Sequence, residues 1–122
     1  GLKRLGLSDR IAYRFSPEEL VPAAGQGILA IQTRAGEYAD LLARLNSPDG
    51  ALCAKTERQL ASLLGGDCSA PVGCHAQLHG TDMTLYGFSG IGGVPRYGSV
   101  QGNRNDADLL VQQLASKLTI TE

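Results

Sequence analysis

The sequence predicts an α+β domain in which a three-stranded antiparallel sheet carries helices on one face. Three observations predict it. From about residue 37 onward the segments read helix, helix, strand, strand, strand, helix. The three strands follow one another through connections too short to hold a crossover helix, so neighbouring strands run antiparallel. The helical segments carry their apolar residues in single stripes, which suits packing on one side of a sheet.

The elements follow in order. Residues 1–7 (Gly1-Leu2-Lys3-Arg4-Leu5-Gly6-Leu7) read as a helix end stopped at Gly6. Ser8 to Phe15 is a connector with an extended piece near Ile11 and Tyr13. Ser16-Pro17-Glu18-Glu19 is a helix start, with a capping hydroxyl, proline at the first position and acids at the positive end of the dipole, but Pro22 limits it to one turn. Pro22-Ala23-Ala24-Gly25-Gln26-Gly27 is a tight loop. Ile28 to Thr33 is almost wholly apolar and is expected as a strand covered on both faces.

Glu37 to Leu45 is expected as an amphipathic helix with Tyr38, Leu41, Leu42 and Leu45 on its stripe. A second helix is expected from about Ala51 to Leu64, with Cys53, Leu60 and Leu64 along one side and Gly65-Gly66 ending it. Strands are expected at Val72–His79, Met83–Ser89 and about Arg96–Gln101, the first two joined through Gly80-Thr81-Asp82. Asn103 to Asp106 offers a cap. The last helix is expected from about Asp106 to Lys117, burying Leu109, Leu110, Leu114 and Leu118.

Composition excludes several classes. The 122 residues suffice for one domain with a real core; they are 43% hydrophobic and 19% charged, unlike a disordered chain. A net charge of −1 provides no basic field for nucleic acid or an anionic membrane. No apolar run approaches the roughly 20 residues of a membrane span. Three cysteines at 53, 68 and 74 show no disulfide-scaffold spacing, which reads as a reducing, cytoplasmic setting. The first residues open inside a helix end without an initiator methionine, so the chain is expected to be a piece of a longer protein.

The distinctive stretch runs from Glu57 to Gly73 and centres on Cys68. Gly65 and Gly66 let the chain turn after the helix, Pro71 stiffens the exit, and a loop between them can present a sulfur to a ligand. Cys68 follows the negative end of a helix dipole and stands beside Asp67, and both features disfavour thiolate. The setting therefore suits a single covalent capture of a strong electrophile better than a turnover nucleophile. Cys53 and Cys74 read as core or half-buried thiols. For Glu57 and Arg58 the plain reading is a solvated helix face. Zinc on Cys68, Cys74, His75 and His79 is disfavoured, because His75 and His79 share one strand face while Cys74 points to the other. Gly25-Gln26-Gly27 precedes a strand instead of opening a helix, so it is a poor phosphate loop.

Three blocks carry a family resemblance. Glu57-Arg58, Leu60, Leu64, Gly66, Cys68 and Pro71-Val72-Gly73 resemble the cofactor-attachment signature of the hydroxymethylbilane synthases, also called porphobilinogen deaminases. Gly1 to Gly6 is similar to the family's A-G-L-x-R-L-G helix end. Val21 to Ile31 is similar to its L-P-A-x-G-Q-G-x-L-x-I segment. The blocks lie in the family's order and cover residues 1–73. Asp67 and Ala70 depart from the pattern, standing where a small and a β-branched residue are usual.

The resemblance implies a transferase that joins porphobilinogen units with loss of ammonia into the linear tetrapyrrole hydroxymethylbilane. It implies a dipyrromethane cofactor held by a thioether to Cys68. It places no catalytic residue in this chain: the family's catalytic aspartate and most of its substrate-binding arginines lie in two N-terminal domains. The chain alone is then expected to be inactive and without its cofactor, and the full-length protein to be monomeric. Residues 1–35 become the end of the preceding domains and a hinge, and residues 36–122 the C-terminal attachment domain, whose fold in the family is the one read above. The competing expectation is a non-catalytic ligand-binding or interaction module with a free thiol at position 68.

Overall fold

The computed structural model describes residues 1–65 and 69–119. Helix α1 spans Ala39–Leu45 and α2 spans Pro48–Leu63. Strands β1 (Val72–His79), β2 (Asp82–Ser89) and β3 (Arg96–Asn103) are followed by helix α3 (Ala107–Leu118). The strands form one antiparallel sheet in the order β1-β2-β3. The α+β architecture expected from the sequence is thus the observed one.

Side-chain alternation divides the sheet cleanly. Cys74 and Ala76 of β1, Met83 and Leu85 of β2 and Val100 of β3 lie on one face, in register across the ladder. Leu60 and Leu64 of α2 and Leu110, Val111, Leu114 and Leu118 of α3 complete one continuous core on that face. Burying each such leucine stabilises the fold by roughly 1.5–3 kcal/mol relative to exposure. The helix α3 beds closely because the strands beneath it carry glycine: a Cβ at Gly87 would come 2.6 Å from Leu118, and one at Gly102 2.9 Å from Leu110.

Local chemistry sets the element ends. Ser47 caps α2, its Oγ accepting from Gly50 N at 3.0 Å, and Pro48 occupies the first turn. The helix therefore starts at Pro48, three residues before the expected Ala51. Gly80-Thr81 forms the two-residue hairpin loop between His79 and Asp82, with Gly80 at φ +62°. Asn103 Oδ1 accepts from Asn105 N in the turn that leads into α3. Arg104 ties that turn to α2 through a 2.6 Å ion pair with Asp49.

Residues 1–38 run as a chain of turns over this body. Leu7 N donates to Leu2 O and Gly6 N to Lys3 O, the paired bonds of a helix terminus closed by a left-handed residue, as expected at Gly6. Ser16 and Glu19 exchange capping bonds, Ser16 N to Glu19 Oε1 at 3.0 Å and Glu19 N to Ser16 Oγ at 3.3 Å. These backbone and hydroxyl donors, with the Tyr13 hydroxyl, hold the Glu19 carboxyl below its ordinary range.

Three expectations are corrected. Residues 28–33 do not form a strand: a strand needs a ladder partner, and no described strand pairs with them. Leu29 there is 94% exposed. The stripe on α1 is not buried either; the helix starts at Ala39, after a left-handed Tyr38, and none of its residues is in the core. In α3, Leu109 points outward, while Val111 and Ala115 take the buried positions beside Leu110, Leu114 and Leu118.

Candidate functional site

Helix α2 ends at Leu63, shortly before Cys68 in the sequence, and its buried stripe contains a carboxylate. Residues 53, 57, 60 and 64 recur at helical spacing, so the face that buries Leu60 and Leu64 also brings Glu57 inward. Glu57 is 3% exposed, which corrects the reading of Glu57-Arg58 as a solvated pair; Arg58, one residue on, is exposed as expected. Burying a carboxylate is costly unless its oxygens are satisfied. Glu57 meets that condition with backbone donors on two separate segments. Oε2 accepts from Ala76 N on the outer edge of β1 at 2.8 Å, and Oε1 accepts from Gly25 N at 2.8 Å. His75 Nδ1 lies 3.7 Å from Oε2.

The Gly25 contact joins two of the sequence blocks in space. The Pro22–Gly27 loop runs beside β1, where Cys74 N donates to Pro22 O at 2.8 Å. Val21 lies over Gly73 so closely that a Cβ there would sit 2.6 Å from the Val21 carbonyl oxygen. Glycine at 73 is thus required by the approach of the strap formed by residues 21–25. Inside the loop, Gln26 folds back to accept from Ala23 N at 3.0 Å. Gly25-Gln26-Gly27 is a docking loop against a carboxylate, not an anion cradle.

Cys68 lies outside the described residues, together with Gly66 and Asp67. Its flanks are described. Leu64 anchors the end of α2 in the core, and Gly65 and Ser69, the nearest described residues on either side, are exposed. On the exit side Val72 N donates to Ala70 O and Gly90 N to Pro71 O, fixing the entry to β1. Beside this entry, Leu20, Val21, Pro71, Phe88 and Tyr97 line a small pocket of about 240 Å³.

The two described cysteines behave as expected of packed thiols. Cys74 is fully buried, and burial, reinforced by the Glu57 charge, pushes its thiol up to about 12. Cys53 is half-buried on α2, and burial, then the nearby Glu57 and Asp49, also raise it. Both are held as neutral thiols, and thiolate is the reactive form. His75 and His79 share the sheet face opposite Cys74, as the alternation predicted. Among the described residues no group of three His, Cys, Asp or Glu side chains could hold a metal ion.

Comparison with known proteins places this body and its leading segment in one family. The model for the porphobilinogen deaminase C-terminal domain matches residues 51–119, and the model described as the porphobilinogen deaminase dipyromethane cofactor binding domain matches residues 1–41. The chain belongs to the porphobilinogen deaminase family. It is 43% identical over 122 residues to the porphobilinogen deaminase of Thiobacillus denitrificans and 44% identical over 122 residues to that of Chromobacterium violaceum. It is 38% identical over 120 residues to the one from Ruminiclostridium josui. Each alignment covers 97% of this chain but only 40–41% of the relative, so the chain spans about two fifths of the length of these proteins.

Glu57 is the residue that sequence reasoning undervalued. Its signal was present: position 57 falls on the stripe of Cys53, Leu60 and Leu64, where a charge must find buried partners. The identity of those partners, a β1 amide and a loop amide 32 positions upstream, was not readable from periodicity.

Proposed function

We propose that the chain is the C-terminal part of a hydroxymethylbilane synthase and that Cys68 carries the dipyrromethane cofactor through a thioether. Family membership over both matched segments carries this reading. The state of the other cysteines supports the choice of Cys68, since Cys53 and Cys74 are packed and held protonated. The exposure of Gly65 and Ser69, which flank Cys68 in the sequence, supports its choice as the attachment point.

In this reading the Cys68 sulfur bonds once to the methylene carbon of a porphobilinogen unit whose amine has left as ammonia, and the thiol proton is released. The bound dipyrromethane supplies a primer pyrrole, held by its tether near the next unit so that chain growth is effectively intramolecular. The residues of this chain bind and position: α2 and the Pro71 turn fix the ends of the attachment loop, and the strap at 21–25 fixes the approach of the leading segment. Residues 1–35 serve as the end of the preceding domains and the hinge, and residues 36–122 as the attachment domain; one family match ends at residue 41 and the other begins at residue 51. Turnover requires the rest of the longer protein, so the 122 residues alone are inactive and cofactor-free. No described helix is long and apolar enough to cross a membrane, and a cytoplasmic location belongs to the same reading.

The test is intact-mass and activity measurement on the full-length protein. The wild type is expected to carry one added dipyrromethane, and Cys68→Ser to lose both the added mass and the turnover of porphobilinogen. An unmodified wild type, or a Cys68→Ser variant with wild-type activity, overturns the assignment in favour of a module with a free thiol.

A further inference from the structure

We propose that Glu57 is a positioning residue of the reaction: a latch that holds the 21–27 strap against β1 and so fixes the leading segment relative to helix α2, which ends shortly before Cys68 in the sequence. The inference rests on the enzyme reading above and adds a residue to it. Among the described residues, two hydrogen bonds join residues 1–38 to the body that starts at Pro48: Gly25 N to Glu57 Oε1, and Cys74 N to Pro22 O. On the β1 edge the Cys74 amide goes to Pro22 O and the Ala76 amide, two positions on, to Glu57 Oε2, so the carboxylate bridges β1 and the strap. The leading segment is otherwise exposed along most of its length. The carboxylate is therefore a joint between two parts, and not filler within one.

The chemistry requires a carboxylate. Two N–H donors converge on one side chain from different segments, and a carboxylate has an accepting oxygen for each. A glutamine has one such oxygen, so its amide nitrogen would face either Gly25 N–H or Ala76 N–H, donor against donor. An aspartate keeps both acceptors but is one methylene too short to span the two amides at 2.8 Å each. Among the described residues no other hydrogen bond ties 23–27 to the body, since Gln26 is spent on Ala23 N. Losing the latch thus frees the strap locally and leaves the helix and sheet core intact.

The experiment uses the full-length protein, as wild type, Glu57→Gln and Glu57→Asp. Amide exchange is read by mass spectrometry in peptides covering 21–27, 74–78 and 107–118, alongside kcat and KM with porphobilinogen. In Glu57→Gln, exchange in 21–27 is expected to rise about tenfold or more with 107–118 unchanged, since local opening does not require global unfolding. The same variant is expected to lose about tenfold in kcat with little change in KM, as a positioning loss does. Glu57→Asp is expected to fall between it and the wild type, and it carries the test if the glutamine variant does not fold. Unchanged exchange in 21–27, equal loss of protection in 107–118, or an unaltered kcat with the strap open each overturns the latch. A wild-type protein that does not turn over porphobilinogen overturns the enzyme reading instead, and with it the catalytic half of this proposal.

Discussion

Glu57 lies close enough to Cys74 for its charge to act on the thiol. The Cys74 thiol is raised first by burial and then by the Glu57 charge. Its pKa in the fold, about 12, lies above the ordinary 9.0. A group raised on folding contributes stability that is complete below its unfolded pKa and lost as pH rises toward the folded one. The body is therefore expected to lose stability from about pH 9 toward pH 12, and Cys74→Ala to flatten that alkaline decline measured against its own neutral-pH stability. Thermal melts at stepped pH in both proteins check this. The same burial leaves Cys74 unreactive toward iodoacetamide at pH 8 in the folded protein and reactive once denatured. Rapid alkylation of the native protein at this position would contradict the packing. The location of Cys74 was legible from strand alternation, and with it the burial that chiefly raises its thiol; the added push of the Glu57 charge was not, because the fold alone brings that carboxylate near.

At the level of elements, caps and close approaches decide most of the outcome. Replacing Ser47 with alanine removes the bond to Gly50 N, and about 1 kcal/mol of stability is expected to go with it in denaturant unfolding. The sequence reading places the helix start at about Ala51, and Gly50 in the first turn does carry a helix-propensity cost. Proline at the first position and the Ser47 hydroxyl outweigh it. Strand β3 and helix α3 form the second sensitive pair. A methyl at Gly102 would press on Leu110, so Gly102→Ala is expected to destabilise by about 1–3 kcal/mol through overpacking, and Gly102→Ala with Leu110→Ala to cost less than the sum of the two single changes. A double-mutant cycle measures this directly. All three strands were legible because alternation and short connections fix them locally. The segment at 28–33 was misread because its apolar composition, taken alone, does not show whether a neighbouring strand exists.

For the whole molecule, the division is between a body with one core and a leading segment held at a few points. Amide exchange in the chain is expected to be slowest in β2 and α3, which carry the most deeply buried residues, and fastest across 28–38. Uniform protection across both regions would refute this ordering. The apolar residues Ile28, Leu29 and Ile31 line a groove of about 800 Å³ with Leu42 and Ala54. The architecture of the body was readable in advance because each of its elements buries a stripe against the others. The path of the leading segment was not, because it depends on contacts to β1 and α2 that leave no periodic mark in the sequence.

The row of glycines under α3 has a practical corollary for grafting between homologues. A helix seated directly on strand backbone shares one surface with that backbone, so α3 cannot be exchanged as a module. A chimera that imports the helix from a relative with bulkier residues at the matching strand sites must import β2 and β3 with it, or the transplanted leucines will find no bed.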